Sequence, residues 1–121
     1  MTRTVQAAKP LEDILEKEWQ AQVVQLLKTL GWRHYHVYDS RRSTHGFPDL
    51  VCVRNRVVYL ELKRERGKLT DEQIDWLRQL RAAGTEAYVA RPRDLVALGA
   101  ALASQHMTEE LDATTRAELS T

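Results

Sequence analysis

Gly46-Phe47-Pro48-Asp49-Leu50-Val51-Cys52-Val53 and, after a short polar interruption, Val57-Val58-Tyr59-Leu60-Glu61-Leu62-Lys63 decide how this chain is read. Pro48 fixes its own φ and pushes Phe47 toward extended geometry, so the chain enters Asp49 as the mouth of a strand. Leu50 to Val53 reads as a buried strand, Asn55 with its flanking arginines as a turn, and Val57 to Lys63 as a second apolar strand antiparallel to the first. Such a hairpin returns Glu61 to the side of Asp49. Side chains alternate faces along a strand, so Glu61 and Lys63 share one face and Leu60 and Leu62 the other. Two carboxylates and an amine thus converge at one edge of a small sheet.

Carboxylates held together in partly apolar surroundings repel one another and lose hydration unless a cation or a proton compensates. A divalent ion is the natural compensator. Asp49 and Glu61, supplemented by the backbone carbonyl of Leu62, make the hard, oxygen-rich set that suits Mg²⁺ or Mn²⁺. Lys63 is then placed to hold or polarise the attacking water and to offset negative charge on a phosphate. A Glu-x-Lys pair can also be a plain salt-bridge ladder on a half-buried sheet. The Pro-Asp strand ahead of it turns the reading toward chemistry.

Outward from this centre, residues 1–10 lack periodicity and read as a flexible N-terminal arm. Leu11 to Leu30 reads as an amphipathic helix with Leu15, Trp19, Val23, Leu26, Leu27 and Leu30 on its apolar face, stopped at Gly31. At about 100° per residue, Glu16 falls about 50° from the centre of that face and Glu18 about 110° from it. Glu16 is therefore expected to face the sheet and Glu18 water. Trp32 to Tyr38 reads as the first strand, and Thr70 as the N-cap of a helix to Ala83, with Gln73 at the capping-box position. Glu86 to Ala90 reads as a fourth strand, Arg93 to Ala103 as a last helix, and residues 105–121 as a polar, frayed C-terminal tail. The order predicts an α/β fold in which a mixed sheet lies between helices and the last strand enters through a helical crossover.

The chain has 121 residues, enough for one domain with a modest core, and no stretch approaches the ~20 apolar residues of a membrane span. The single cysteine, Cys52, falls inside a predicted strand and reads as a core residue in a reducing compartment, and no secretory signal is recognisable at the N-terminus. The net charge of +1 conceals an uneven distribution: residues 33–68 carry nine Lys or Arg against four acids, Asp39, Asp49, Glu61 and Glu65. Thirteen of the eighteen basic residues are Arg, which favours bidentate phosphate contacts. Ser40, Arg41, Arg42 and Lys68 are the candidate DNA-binding side chains. His34-x-His36 lacks the paired cysteines or third ligand of a zinc site, and Trp19, Trp32 and Trp76 fit core positions better than base-stacking platforms.

Together, Glu16-x-x-Trp19-Gln20, Gly31-Trp32, His36-x-x-Asp39-Ser40-Arg41-Arg42, Gly46-Phe47-Pro48-Asp49-Leu50, Glu61-Leu62-Lys63, Leu69-Thr70-x-x-Gln73, Leu80 and Gly84 resemble the stand-alone VRR-NUC domains of the PD-(D/E)XK nuclease superfamily, many of them phage-encoded or bacterial. The resemblance implies a restriction-endonuclease-like αβββαβ core, here residues 11–104. It implies a Mg²⁺- or Mn²⁺-dependent endodeoxyribonuclease with Glu16, Asp49, Glu61, Lys63 and Gln73 in its active site. Glu16, Asp49, Glu61 and the Leu62 carbonyl are the implied metal ligands. Similarity to Holliday-junction resolvases implies branched DNA as substrate, a homodimer, and a cytoplasmic setting in a bacterial or phage-infected cell. A binding module without chemistry and a sequence-specific restriction-type nuclease are the alternatives. The set of acids argues against the first, and the short chain, with little room for base reading, against the second.

Overall fold

The computed structural model describes residues 9–38, 44–106 and 108–120. A 3-10 turn at Leu11–Asp13 leads into α1 (Glu16–Thr29), followed by β1 (Arg33–His36), β2 (Leu50–Val53), β3 (Val57–Leu62), α2 (Asp71–Ala82) and β4 (Glu86–Ala90). A second 3-10 turn at Pro92–Asp94 precedes α3 (Leu95–Ala103) and α4 (Glu109–Leu119). The strands lie in the order β1-β2-β3-β4. The predicted hairpin forms, with Leu50 opposite Leu60 and Val53 opposite Val57. β1 pairs antiparallel with β2, and β4 lies parallel to β3, with Leu60 opposite Tyr88. A parallel pair requires a crossover, and α2 supplies it. The mixed sheet and the αβββαβ order are those expected.

Strand alternation divides the core into two layers. Leu50, Cys52, Val58, Leu60, Leu62, Tyr88 and Ala90 pack with Trp19, Val23 and Leu27 of α1 and with Leu98 and Leu102 of α3. Ala87 and Val89, with Tyr59, pack on the other side with Leu77 of α2 and Leu119 of α4. Trp19 and Trp32 are core residues as expected, and each also ties two elements together. The Trp19 indole donates to the Ala90 carbonyl at 2.9 Å, and that of Trp32 to the Leu102 carbonyl at 2.9 Å. Burying an indole while satisfying its N–H keeps the full hydrophobic gain, about 3 kcal/mol for a large side chain. Burial pushes the Cys52 thiol up to about 12, in keeping with an inert core cysteine.

Three expectations need correction. The first helix does not run unbroken from Leu11: Ile14 and Leu15 are extended, and α1 starts at Glu16. Ile14, 8% exposed, enters the core in place of Leu15, which is 51% exposed. The strand expected from Trp32 to Tyr38 is shorter, although the Val37 N–H still reaches the Asp49 carbonyl at 2.8 Å. The frayed tail expected at the C-terminal end is instead largely helical, because Glu109–Leu119 are α4, with Leu111, Thr115 and Leu119 buried. An unpaired edge strand explains this helix. The outward Val89 N–H of β4 donates to the Thr115 hydroxyl at 3.2 Å, and the outward Ala87 carbonyl accepts from Arg81 at 2.9 Å. α4 covers an edge that would otherwise leave buried backbone groups unsatisfied.

Candidate active site

β2 begins and β3 ends at the same margin of the sheet, because their antiparallel register sets Leu50 against Leu60. Asp49 precedes the first strand and Glu61 stands next to last in the second, so both carboxylates arrive there. Glu61 is opposite Val89 and faces the α2 layer. It is 2% exposed. Asp49 is half-buried, and its Oδ2 accepts the Leu62 N–H at 2.8 Å. That bond ties the two strand ends through the carboxylate itself.

Gln73 fixes the second carboxylate. Thr70 caps α2 by accepting the Gln73 N–H at 3.1 Å, and the Gln73 Oε1 accepts the Thr70 N–H at 2.9 Å. With its oxygen engaged, the amide nitrogen points to Glu61 and donates to Oε1 at 3.2 Å. The expected N-cap role and the expected place near the site therefore occur together in one side chain. The other oxygen, Glu61 Oε2, is buried and has no hydrogen-bond donor among the described residues. Asp49 beside it can bond it only when one of the two acids carries a proton. Burial first, then the Asp49 charge and a shared proton, push the Glu61 carboxyl up to about 9; Lys63 opposes the shift and Glu16 adds to it.

Above this pair lies a cleft of about 690 Å³, lined by Glu16 and Gln20 of α1, His36 and Tyr38 at the end of β1, Asp49, and Gln73, among others. Glu16 thus reaches the site, but not from a buried helix face. It is exposed in the first turn of α1, which overhangs the sheet margin from the face opposite Glu61. The break at Ile14 and Leu15 is what places it there. Glu18 points elsewhere, accepting from the Leu15 N–H at 3.1 Å and from Lys9 at 2.7 Å. Lys63 is half-buried and does not line the cleft, although its charge is felt by Glu61. Its N–H continues the ladder to the Ala90 carbonyl at 3.1 Å. Lys68 is exposed in the loop before α2, whereas Ser40, Arg41 and Arg42 lie outside the described residues.

The Gly-Phe-Pro turn has a packing reason beyond extended geometry. Gly46 has φ +95°, and a Cβ there would lie 2.6 Å from the Glu72 carbonyl carbon. The loop is pressed against the start of α2 where only hydrogen fits. Phe47 then meets Trp76 and Tyr59 edge to face, at 5.1 and 5.8 Å between centroids. Asp49 is delivered from a loop anchored on both α2 and β3.

The basic segment is only partly available to a substrate. Arg54 and Arg56 stack over the Trp32 ring and donate to the carbonyls of Leu30, Ala101 and Ser104, and Arg56 also pairs with Glu86. They occupy the β2–β3 turn, about 17 Å along the strand from Asp49. Arg64 Nε donates to the Ile14 carbonyl at 3.1 Å and so fastens the chain just ahead of Glu16. The sequence reading missed these fastening roles, since a backbone carbonyl as partner leaves no mark in residue type.

Among the described residues, no three His, Cys, Asp or Glu side chains stand together as a metal cage. The Asp49–Glu61 pair still has the character of a cation site. Two adjacent carboxylates, one with an oxygen that no described residue bonds as donor, fit a hydrated hard ion that keeps several waters of its own.

The mixed sheet thus carries an acid pair and a lysine at one margin, beside a cleft overhung by a helix acid. The VRR-NUC domain family matches residues 3–94, and the chain belongs to it. No curated protein matches the chain at a significant level. Among solved structures, the Holliday junction resolvase Hjc of the archaeal hyperthermophile Archaeoglobus fulgidus is similar, with TM-score 0.49 and 22% sequence identity. That similarity covers 62% of this chain and 66% of the resolvase, just under two thirds of its length. No helix among the described residues is long and apolar enough to cross a membrane.

Proposed function

We propose that this chain is a Mg²⁺- or Mn²⁺-dependent DNA endonuclease that hydrolyses phosphodiester bonds and prefers branched DNA, four-way junctions among them. The observation that carries the reading is the Asp49–Glu61 pair, two fixed carboxylates of which one has a buried oxygen without a donor among the described residues. A binding module would gain nothing from aiming acids at phosphates. Asp49, Glu61 and the Leu62 carbonyl would hold the cation, with Glu16 reached from the cleft rim. The bound ion would act as Lewis acid toward the phosphate and lower the pKa of water.

The chain's own residues have separable duties. The Leu62 N–H orients Asp49, and the Gln73 amide orients Glu61. Lys63 holds the attacking water and offsets charge developing on the phosphate. Glu16 limits how far the cleft can fill with anionic backbone except where a cation bridges it. Ser40, Arg41, Arg42 and Lys68 are the proposed phosphate contacts. Two symmetric cuts in a junction need two symmetric sites, so the working unit is a homodimer, acting in the cytoplasm where DNA lies.

Cleavage of four-way junction, flap, duplex and single-stranded DNA in Mg²⁺ and in Mn²⁺ tests the proposal. Nicking strongest on branched substrates is expected, lost in Lys63→Ala while binding survives. A folded protein that binds junctions and never nicks them in either metal would overturn it.

A further inference from the structure

Residues 95–120 lie beyond the stretch that the family matches, yet α4 reaches, through Arg91, the loop that follows Lys63. Arg91, the first residue after β4, is 6% exposed, and its guanidinium is gripped from two sides. Glu118 of α4 accepts from Nε at 3.2 Å and from Nη2 at 2.7 Å. Nη1 donates to the carbonyls of Arg64 at 2.7 Å and Gly67 at 2.6 Å, with a longer bond to that of Glu65 at 3.3 Å. The Glu65 carboxylate in turn accepts the Arg93 N–H at 3.0 Å. A loop of charged residues is thus nailed down from its backbone side.

The fastened segment starts at the residue after Lys63 and ends at the residue before Lys68. With its carbonyls turned toward Arg91, it leaves Arg66 and Lys68 exposed. A planar fork can hold several carbonyls and a carboxylate at fixed angles, which a lysine ammonium cannot. Rate depends steeply on placement of a charge-stabilising group, with about 1 Å of misplacement worth about a hundredfold.

We propose that Glu118 and Arg91 are positioning residues: through them α4 fixes the 64–67 backbone, and with it Lys63 and the phosphate-facing side chains that follow. This rests on the nuclease reading above. Glu118 does not line the cleft, so its loss should lower turnover more than it weakens DNA binding.

The test compares Glu118→Ala, Glu118→Asp and Thr115→Val in the full chain. Thr115→Val removes the bond to the Val89 N–H and is the control for lost stability without a loosened loop. Glu118→Ala should stay folded by circular dichroism, exchange its Gly67 amide at least about tenfold faster, and lose about tenfold in kcat with KM changed less than about twofold. Glu118→Asp should recover most of both, and Thr115→Val should keep wild-type kcat and Gly67 exchange despite a lower Tm. Unchanged Gly67 exchange in Glu118→Ala, or a kcat loss that Thr115→Val shares at equal loss of Tm, would overturn the proposal. If wild type cleaves nothing, the nuclease reading fails, and the exchange measurement still decides whether α4 braces the loop.

Discussion

Replacing Glu61 by Gln should make the metal-free protein more stable at alkaline pH while destroying its activity. Glu61 is 2% exposed, and its carboxyl stands at about 9 in the fold against an ordinary value of 4.5, with burial the first cause and Asp49 the second. A raised folded value means that the native state holds a proton which the unfolded chain has released. The associated stability is fully present below about pH 4.5 and is lost as pH rises toward about 9. The limiting slope for one such group is about 1.4 kcal/mol per pH unit. Between pH 5.5 and 7.5 that amounts to about 3 kcal/mol, or on the order of 10 °C in Tm for a domain of this size.

Gln keeps an oxygen for the bond from Gln73 and carries no proton to lose, so the slope should vanish in the variant. The assay is thermal unfolding of wild type and Glu61→Gln in EDTA from pH 5 to 9. The difference between the two curves isolates the coupled Asp49–Glu61 pair, since titrations elsewhere in the chain are common to both. The gap should open with pH in favour of Glu61→Gln. Saturating Mg²⁺ should close it from the wild-type side alone, because a cation bound to ionised carboxylates replaces the proton. A wild-type minus variant difference that stays flat across the range would refute the reasoning.

Gly46→Ala should cost about 2 to 4 kcal/mol in chemical denaturation, since its φ of +95° and the 2.6 Å approach to Glu72 leave no relaxed place for a methyl group. Glu16→Gln should lower cleavage about tenfold or more with little change in Tm, whereas Glu18→Gln, which loosens the start of α1 and the tie to Lys9, should shift Tm slightly and spare the rate. Arg56→Ala should lose about 2 kcal/mol of stability by denaturant titration and leave DNA affinity in gel shift unchanged, because its guanidinium is spent on Ala101, Ser104 and Glu86. Lys68→Ala should do the reverse, weakening DNA binding and flattening its salt dependence without moving Tm.

How far the chain could be read follows the range of the forces involved. The hairpin was legible because alternation, a Pro before Asp and a polar turn are all local, and the register came out as expected. The cap of α2 was legible for the same reason, since Thr70 and Gln73 bond each other within one turn. The start of α1 was not. Leu11, Ile14 and Leu15 suit a helical stripe, and only the carbonyls of Ile14 and Glu12, held by Arg64 some fifty residues away, mark where the chain is extended instead. α4 was misjudged because its composition is polar, while its reason for being helical is the open edge of β4. The burial of Arg91 was not legible, because nothing local foretells that three loop carbonyls will face it.

The same distinction changes the meaning of the arginine-rich stretch. Charge counted along the sequence marked residues 33–68 as basic, but a count cannot tell a guanidinium facing phosphate from one closing a helix end. Arg54 and Arg56 do the latter, capping the last carbonyls of α3 at the sheet margin remote from Asp49. Arg64 and Arg91 fasten backbone to backbone. Among the described residues, cation supply near the acids is therefore smaller than composition implies, and the charge on the cleft is itself mixed, with Glu16 beside Lys17. A phosphodiester meets acids as well as bases there, so side-chain charge on these residues only partly favours its approach. Under the proposed reading the divalent ion then has two duties that cannot be separated, chemistry and admission, and cleavage-deficient DNA binding should itself depend on the metal.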